Sequence, residues 1–108
     1  MKTIDINFYI SGTEIIIPFK AICSVTNKMF KGNIIIQYYP NNKVVEYVDM
    51  EKVIINITKN KLTAEELAYN IFQEVKINIL PKYLKILVDV RQSEAHRPVK
   101  VWIEKKFK

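Results

Sequence analysis

The sequence predicts an α+β fold in which an antiparallel sheet carries two helices on one face. Segments in which apolar and polar residues alternate occupy both ends of the chain, and this alternation is typical of half-buried strands. Between them lie two stretches whose apolar residues recur at helical spacing. Strands at both ends with helices in the middle fit one sheet packed against one helical layer.

The first half of the chain is predicted to be mostly strand. Four segments carry the alternating or β-rich pattern, at residues 3–10, 14–19, 33–39 and 44–47. Turn-forming residues separate them at Ser11-Gly12-Thr13 and at Pro40-Asn41-Asn42-Lys43. The second and third strands are joined by a polar stretch typical of a loop, and Cys23 lies at its start.

Two helices are predicted next. Asp49 is the expected cap of a short helix that runs to about Asn56. A second, longer helix starts at Thr63, because Thr63 and Glu66 have the spacing of a capping box. Pro81 is expected to end it. Two further alternating strands close the chain, at residues 83–91 and 97–105.

The length favours a single domain over residues 1–108, since 108 residues allow one sheet and one helical layer but not two cores. One cysteine excludes an internal disulfide and favours a reducing compartment, so a cytoplasmic protein is expected. Nothing resembles a signal peptide. The longest apolar run is three residues, whereas a membrane span needs about 20, so no membrane association is expected.

The charge and composition restrict the kind of site. The net charge of +6 comes almost entirely from lysine, which suits contacts with phosphates better than base-edge reading, although it also suits solubility. One cysteine and one histidine cannot build a structural zinc site, which uses about four ligands. Two glycines cannot build a glycine-rich phosphate loop. Neither a metal nor a nucleotide cofactor is therefore expected.

Cys23 is the residue expected to carry covalent chemistry. It lies at a strand-to-loop junction before a polar segment, where a nearby cation would favour the nucleophilic thiolate. A lone cysteine is also often a small buried hydrophobe, so its position alone leaves both interpretations open. Glu46 ends an otherwise apolar strand and is a second candidate. Glu65 lies in the first turn of the predicted helix, where the helix dipole favours a negative charge, so its presence there needs no functional explanation. His96 is expected to be a solvated loop residue.

Five segments share their order and spacing with one enzyme family: residues 23–26, 34–40, 45–47, 64–68 and 81–86. Cys23-Ser24-Val25-Thr26 is similar to the Cys-Pro-(Val/Ile)-(Thr/Ser) motif around that family's nucleophile. Ala64-Glu65-Glu66-Leu67-Ala68 resembles its His-Glu-Glu-Leu-Ala segment at the head of a long helix. The family is that of the 7-cyano-7-deazaguanine nitrile reductases and their short archaeal relatives, the QueF-like amidinotransferases that make archaeosine.

The resemblance implies a tunnelling fold that assembles into homo-oligomeric rings with sites between subunits. It implies that Cys23 adds to the nitrile carbon of 7-cyano-7-deazaguanine in tRNA to give a thioimide, and that ammonia displaces the thiolate. Glu46 and Glu65 would hold the base. Short relatives of this kind need no cofactor, whereas the reductases use NADPH.

The chain departs from the family pattern at two positions. Phe30 stands seven residues after Cys23, where the family has an acidic proton donor, and Ala64 stands where it has histidine. Asp49, His96 or a neighbouring subunit would have to supply the proton. Alternatively, the chain is a non-catalytic deazapurine- or RNA-binding homologue. An NADPH-dependent nitrile reductase is a further alternative, which the missing glycines around His96 disfavour.

Overall fold

The structure is a computed structural model that describes residues 1–107. These residues form six strands and two helices: β1 (Thr3–Asp5), β2 (Thr13–Ile22), β3 (Met29–Tyr39), β4 (Lys43–Val45), α1 (Tyr47–Thr58), α2 (Ala64–Ile79), β5 (Tyr83–Ser93) and β6 (Val99–Lys106). No helix in this part of the chain is long and apolar enough to cross a membrane.

The main sheet has four strands in the order β2-β3-β5-β6, and every neighbouring pair is antiparallel. β1 and β4 form a separate antiparallel pair. The predicted α+β class with an antiparallel sheet and two helices is therefore confirmed. β2 and β6 pair on one side only within the described residues, so their outer main-chain groups form the two edges of the sheet.

One face of the sheet packs against both helices and forms the core. The sheet contributes alternate residues of its two central strands: Ile34, Ile36, Tyr38, Leu84, Ile86, Val88 and Val90. The helices contribute Met50, Ile54, Leu67, Ile71 and Val75. Burial of each such side chain stabilises the fold by roughly 1.5–3 kcal/mol, so packing of the helices holds the sheet together.

In the part of the chain that the structure describes, no helix lies over the opposite face of the sheet. Ile16, Ile35, Leu87 and Trp102 are direct cross-strand partners and form one apolar row across all four strands. The ends of the row are open to solvent, with Ile16 59% and Trp102 57% exposed.

The first strand is much shorter than predicted. The alternation at residues 3–10 predicts one long strand, but β1 ends at Asp5, and Phe8 and Tyr9 are 62% and 79% exposed. The alternation predicts that one face of this segment is buried, but within residues 1–107 Phe8, which belongs to that face, stays open to solvent. The prediction of a strand over residues 6–10 is wrong for this reason.

The start of α1 also differs from the prediction. Glu46 does not end a strand; it is the residue that caps the helix, and its Oε2 accepts a hydrogen bond of 2.5 Å from the main-chain N–H of Asp49. Asp49, the expected cap, instead lies in the first turn. The capping box at Thr63 and Glu66 is present as predicted.

Candidate active site

Three loops meet at the end of the sheet where β2 ends. They comprise residues 23–28, 59–63 and 94–98, which join β2 to β3, α1 to α2 and β5 to β6. The main-chain N–H of Leu62 donates to the carbonyl of Ile22 at 3.0 Å. On the other side, the main-chain N–H of Glu94 donates to the carbonyl of Met29 at 3.0 Å, and the carboxylate of Glu94 accepts from the N–H of Met29 at 2.9 Å. These bonds fix the three loops relative to one another.

A cavity of about 390 Å³ opens between these loops. Its polar lining consists of Cys23, Thr63, Glu65, His96 and Arg97. Its apolar lining consists of Phe30, Ala64, Val90 and Val99. Small-molecule sites typically occupy roughly 300–1,000 Å³ and combine an apolar wall with a few polar groups. The cavity is therefore large enough for a planar heterocycle that has polar edges.

Cys23 lies in the tight turn that follows β2. The N–H of Asn27 donates to the carbonyl of Cys23 at 2.9 Å, which bends the chain into a helical turn. Asn27 then takes a left-handed conformation (φ 60°), which asparagine tolerates better than most residues. Main-chain N–H groups at the start of such a turn lack partners within it and point back towards the residue that precedes it.

The turn makes the thiol of Cys23 more acidic. Hydrogen bonds from the main-chain N–H of Thr26, then from that of Val25 and from the Thr26 hydroxyl, lower the pKa of Cys23, while partial burial and the charge of Glu65 act in the opposite direction. A thiolate is the nucleophilic form of cysteine. The sulfur is half-buried at the edge of the cavity, so it is reachable from there.

Glu65 faces the same cavity from the first turn of α2. Its carboxylate is exposed and lies at the helix N-terminus, where the dipole favours negative charge. A carboxylate here can accept hydrogen bonds from N–H groups of a ligand. Ala64, the residue before it, contributes only a methyl group.

Phe30 forms part of the apolar wall. It is 3% exposed and packs edge-on against Phe19, with ring centroids 5.7 Å apart. No proton can come from this position. Asp49 was considered as a substitute for the family's acidic proton donor. It lies at the start of α1, where its carboxylate accepts a hydrogen bond of 2.6 Å from the main-chain N–H of Lys2. It is not part of the cavity lining.

His96 also lies at the cavity. It is an exposed loop residue, as expected, and it lines the cavity together with Cys23 and Arg97. Its Nδ1 lies 2.7 Å from the carbonyl oxygen of Arg97. With a proton on Nδ1, this contact is a hydrogen bond that leaves Nε2 free to exchange a second proton. The signal that could have identified it is its position in the loop that returns to the Cys23 end of the sheet.

Glu46 lies at the other end of the molecule. Its neighbour Val45 donates its main-chain N–H to the hydroxyl of Tyr38 at 3.1 Å, near the end of β3. Phe30, at the cavity, is eight residues away along the same strand, which corresponds to roughly 25–30 Å. The structure brings Cys23 and Glu65 into one cavity and does not bring Glu46 there within one chain.

A solved structure has the same fold as this chain. It is described as the crystal structure of the archaeosine synthase QueF-Like in the apo form, and it matches with a TM-score of 0.76 and 19% sequence identity, over 90% of this chain and 95% of that chain. The chain has the fold of archaeosine synthase QueF-Like. The fold that the sequence resemblance implied is thereby confirmed. No protein-family model matches the chain.

The likeness to archaeosine synthase QueF-Like establishes the fold and not the activity, because one fold can carry many functions. The chemistry must therefore be argued from the cavity. Within residues 1–107 no group of three or more His, Cys, Asp or Glu side chains is placed to hold a metal ion. The chemically active groups at the cavity are a thiol, a carboxylate, an imidazole and a guanidinium.

Proposed function

We propose that this chain is an amidinotransferase in tRNA modification, which converts 7-cyano-7-deazaguanine in tRNA to archaeosine with ammonia through a thioimide on Cys23. The observation that supports this most directly is the acidified thiol of Cys23 at the edge of a base-sized cavity that it shares with Glu65. The fold of archaeosine synthase QueF-Like is consistent with it. The protein would work in the cytoplasm, as a single domain.

The proposed reaction needs a nucleophile and a proton donor and involves no oxidation or reduction. The Cys23 thiolate adds to the nitrile carbon, one π bond of the nitrile breaks, and its nitrogen takes a proton, which gives the thioimide. Ammonia then adds to the same carbon, the remaining carbon–nitrogen π bond opens, and one ammonia proton returns to the group that protonated the nitrile nitrogen. The carbon–nitrogen double bond forms again as the carbon–sulfur bond breaks, so the thiolate leaves and the amidine remains. The thiolate is regenerated, so no cofactor is consumed.

His96 is the proton donor in this proposal. Among the side chains that line the cavity, Phe30, Ala64, Val90 and Val99 carry no exchangeable proton, and the hydroxyl of Thr63 donates to the carboxylate of Glu66. Glu65 is assigned to accept hydrogen bonds from the base, and an arginine side chain does not give up its proton in proteins. The imidazole of His96 remains, and histidine is the side chain that most often transfers protons in catalysis.

Glu65 and Glu46 hold the base in this proposal. Glu65 accepts hydrogen bonds from N–H groups of the deazapurine within the cavity. Glu46 would reach the base only from another copy of the chain, because it lies at the far end of the sheet from its own Cys23. A homo-oligomer with sites between subunits is therefore part of the proposal, and the open edge strands β2 and β6 are suited to pairing between copies.

Mass spectrometry of the intact protein with free 7-cyano-7-deazaguanine tests the covalent step. We expect a mass gain equal to one molecule of the base, and Cys23→Ala should abolish it. Glu65→Gln should weaken formation of the adduct by about 1–3 kcal/mol, since it removes a charged acceptor for the base. The absence of both an adduct and reversible binding of the base would overturn the proposed function.

A second experiment identifies the reaction. With tRNA that carries 7-cyano-7-deazaguanine and ammonium, the product nucleoside should gain the mass of one ammonia. An NADPH-dependent nitrile reductase would instead add four hydrogens. Turnover that requires NADPH and proceeds without ammonium would support the reductase and contradict the amidinotransferase.

A non-catalytic base- or RNA-binding homologue is the second candidate, because Phe30 and Ala64, which both line the cavity, stand where the resembled family has an acid and a histidine. Phe30→Asp separates the two candidates. If the native chain is an enzyme, the native chain forms the adduct, and Phe30→Asp leaves its rate unchanged or raises it. If it is a binding protein, only Phe30→Asp forms the adduct. Circular dichroism must accompany this variant, because Phe30 packs in the core against Phe19.

A further inference from the structure

The residues proposed to hold the base can only accept hydrogen bonds. Glu65 and Glu46 are both carboxylates, and an ionised carboxylate has no proton to donate. They suit the ring N–H and the 2-amino group of 7-cyano-7-deazaguanine, which are donors. The base also carries an acceptor, the carbonyl oxygen at position 6. A carbonyl that leaves water without meeting a donor weakens binding, so a site for this base needs a donor as well.

Arg97 is the side chain of the cavity that can serve as this donor. Among the other polar groups of the lining, the hydroxyl of Thr63 donates to the carboxylate of Glu66 at 3.1 Å. Cys23 is the proposed nucleophile, and His96 is assigned to the nitrile nitrogen. The guanidinium of Arg97 keeps its protons, and it carries five N–H donors and no acceptor. Within residues 1–107 it forms no ion pair, so no carboxylate there competes for its donors.

The position of Arg97 beside His96 matches the shape of the base. Nδ1 of His96 lies 2.7 Å from the carbonyl oxygen of Arg97, which ties the imidazole to the main chain of its neighbour. Pro98 restricts the main chain of Arg97 to extended conformations. In the base, the nitrile on C7 and the oxygen on C6 flank the same ring-fusion carbon and point to the same side. Groups that meet the nitrile nitrogen and the 6-oxygen must therefore be neighbours, as His96 and Arg97 are.

We propose that Arg97 donates a hydrogen bond to the 6-oxygen of the base and makes the cavity selective for 6-oxo over 6-amino deazapurines. The inference rests on the proposed function in that it takes the ligand to be a 7-cyano-7-deazapurine. It adds the residue that distinguishes one such base from another. A 6-amino group would direct its own N–H donors at a guanidinium that has no acceptor, so Arg97 selects by rejection as well as by attraction.

Calorimetric binding of two free bases tests this role. The ligands are 7-cyano-7-deazaguanine and 7-cyano-7-deaza-2,6-diaminopurine, in which an amino group replaces the 6-oxygen. Cys23→Ala is the background, so that only reversible binding is measured. Arg97→Gln is the test, and Arg91→Gln is the matched control, because it removes the chain's other arginine, which does not line the cavity. The second ligand also lacks the ring N–H at N1, so the effect of each substitution is compared within one ligand.

We expect Arg97→Gln to weaken binding of the 6-oxo base about tenfold or more, the size of a lost charge-assisted hydrogen bond. Binding of the 6-amino base should change by less than about threefold or become tighter, since the guanidinium that rejects it is gone. Arg91→Gln should change binding of either base by less than about threefold. Equal losses for both bases in Arg97→Gln, or no loss for the 6-oxo base, would overturn the inference.

Adduct formation on the intact Cys23 separates this inference from the proposed function. If the native chain forms the adduct with the 6-oxo base and Arg97→Gln forms it at the same rate, the role of Arg97 is refuted and the covalent chemistry stands. If binding of the 6-oxo base depends on Arg97 but no adduct forms, the covalent chemistry is refuted and the role of Arg97 stands. If the native chain binds neither base, both are refuted.

Discussion

At the scale of single residues, the turn after β2 activates Cys23. The chain bends at Thr26 and Asn27 so that N–H groups of the turn reach the sulfur. The Thr26 hydroxyl has two roles, because it also accepts the main-chain N–H of Lys28 at 3.2 Å. A short polar segment therefore both closes the hairpin and favours the thiolate.

Removal of the Thr26 hydroxyl should make Cys23 less acidic. In the native chain the hydrogen bonds hold the pKa of the thiol below its usual range. The thiolate of Cys23 therefore forms at lower pH than that of a free cysteine, whose pKa is about 8.5. In Thr26→Val the rate of alkylation by iodoacetamide should rise with pH at a higher midpoint. Thr26→Ser keeps the hydroxyl and should match the native profile. Equal midpoints for all three proteins would contradict the role of this hydroxyl.

Loss of His96 should slow formation of the adduct. The proposal assigns to His96 the proton that the nitrile nitrogen takes, and a positioned general acid typically contributes roughly 100- to 10,000-fold in rate. In His96→Gln the rate, followed as the growth of the adduct mass with time, should therefore drop about 100-fold or more. Glu94→Gln is the control, because Glu94 lies on the same loop but does not line the cavity, and glutamine can still accept from the N–H of Met29. A native-like rate in His96→Gln would exclude this histidine as the proton donor.

The structure places in one cavity two of the residues to which local patterns pointed, Cys23 and Glu65. Cys23 could be proposed because its neighbours are polar, and the likeness of residues 64–68 to a helix-head motif pointed to Glu65. The place of His96 depends on how β5 and β6 return the chain to the Cys23 end, which no local pattern encodes. Glu46 was predicted as a ligand for the base, and its hydrogen bond to the N–H of Asp49 shows a capping role that does not exclude that prediction.

At the scale of elements, a bulge in β5 shapes the sheet beside the cavity. The pairing between β3 and β5 shifts between Lys31 and Gly32, so that Arg91 has no partner, and Phe30 pairs with Ser93 beyond it. Gly32 lets the two strands approach closely here. A Cβ atom at this position would lie 1.9 Å from the carbonyl oxygen of Asp89 and 2.8 Å from the nitrogen of Arg91.

Gly32→Ala should destabilise the fold, because the atoms it would meet belong to the backbone and cannot turn aside. We expect a loss of about 1–3 kcal/mol or more in the free energy of unfolding, measured by urea denaturation. Gly12→Ala is the matched control: its Cβ would meet the exposed ring of Tyr39 at 3.3 Å, which can shift. The free energy of unfolding of Gly12→Ala should differ from that of the native chain by no more than about 0.5 kcal/mol. Similar losses for both variants would contradict the importance of the bulge.

The helices were more predictable than the strands because their signals are local. The capping box of α2 lies within four consecutive residues, and its apolar stripe is complete in one segment. The alternation of residues 3–10 predicts a strand but not its partner. β1 pairs with β4 only as far as Asp5, and the bulge at Gly32 depends on an approach between strands that are distant in sequence.

At the scale of the whole molecule, the two ends of the sheet have different surfaces. The Cys23 end carries the cavity, and the other end carries Glu46 and the exposed side chains of Phe8 and Tyr9. Leu87 and Trp102 lie on the open face of the sheet, whereas Tyr38 is fully buried on the helix side.

A site that takes Cys23 and Glu46 from different copies predicts rescue by mixing. Light scattering should first show a species several times the 12.7 kDa mass of one chain; a monomer at all concentrations would refute shared sites. Cys23→Ala and Glu46→Ala should each be inactive or nearly so alone. After they are unfolded together and refolded as a mixture, about a quarter of the sites would combine an intact Cys23 with an intact Glu46 from another copy, and that fraction of the activity should return.

Glu46→Gln, which can still cap α1 through its side-chain oxygen, checks that the inactivity of Glu46→Ala is not caused by loss of the cap. If the refolded mixture stays inactive while Cys23→Ala mixed with the native chain shows the expected dilution, Glu46 does not belong to a site shared between subunits.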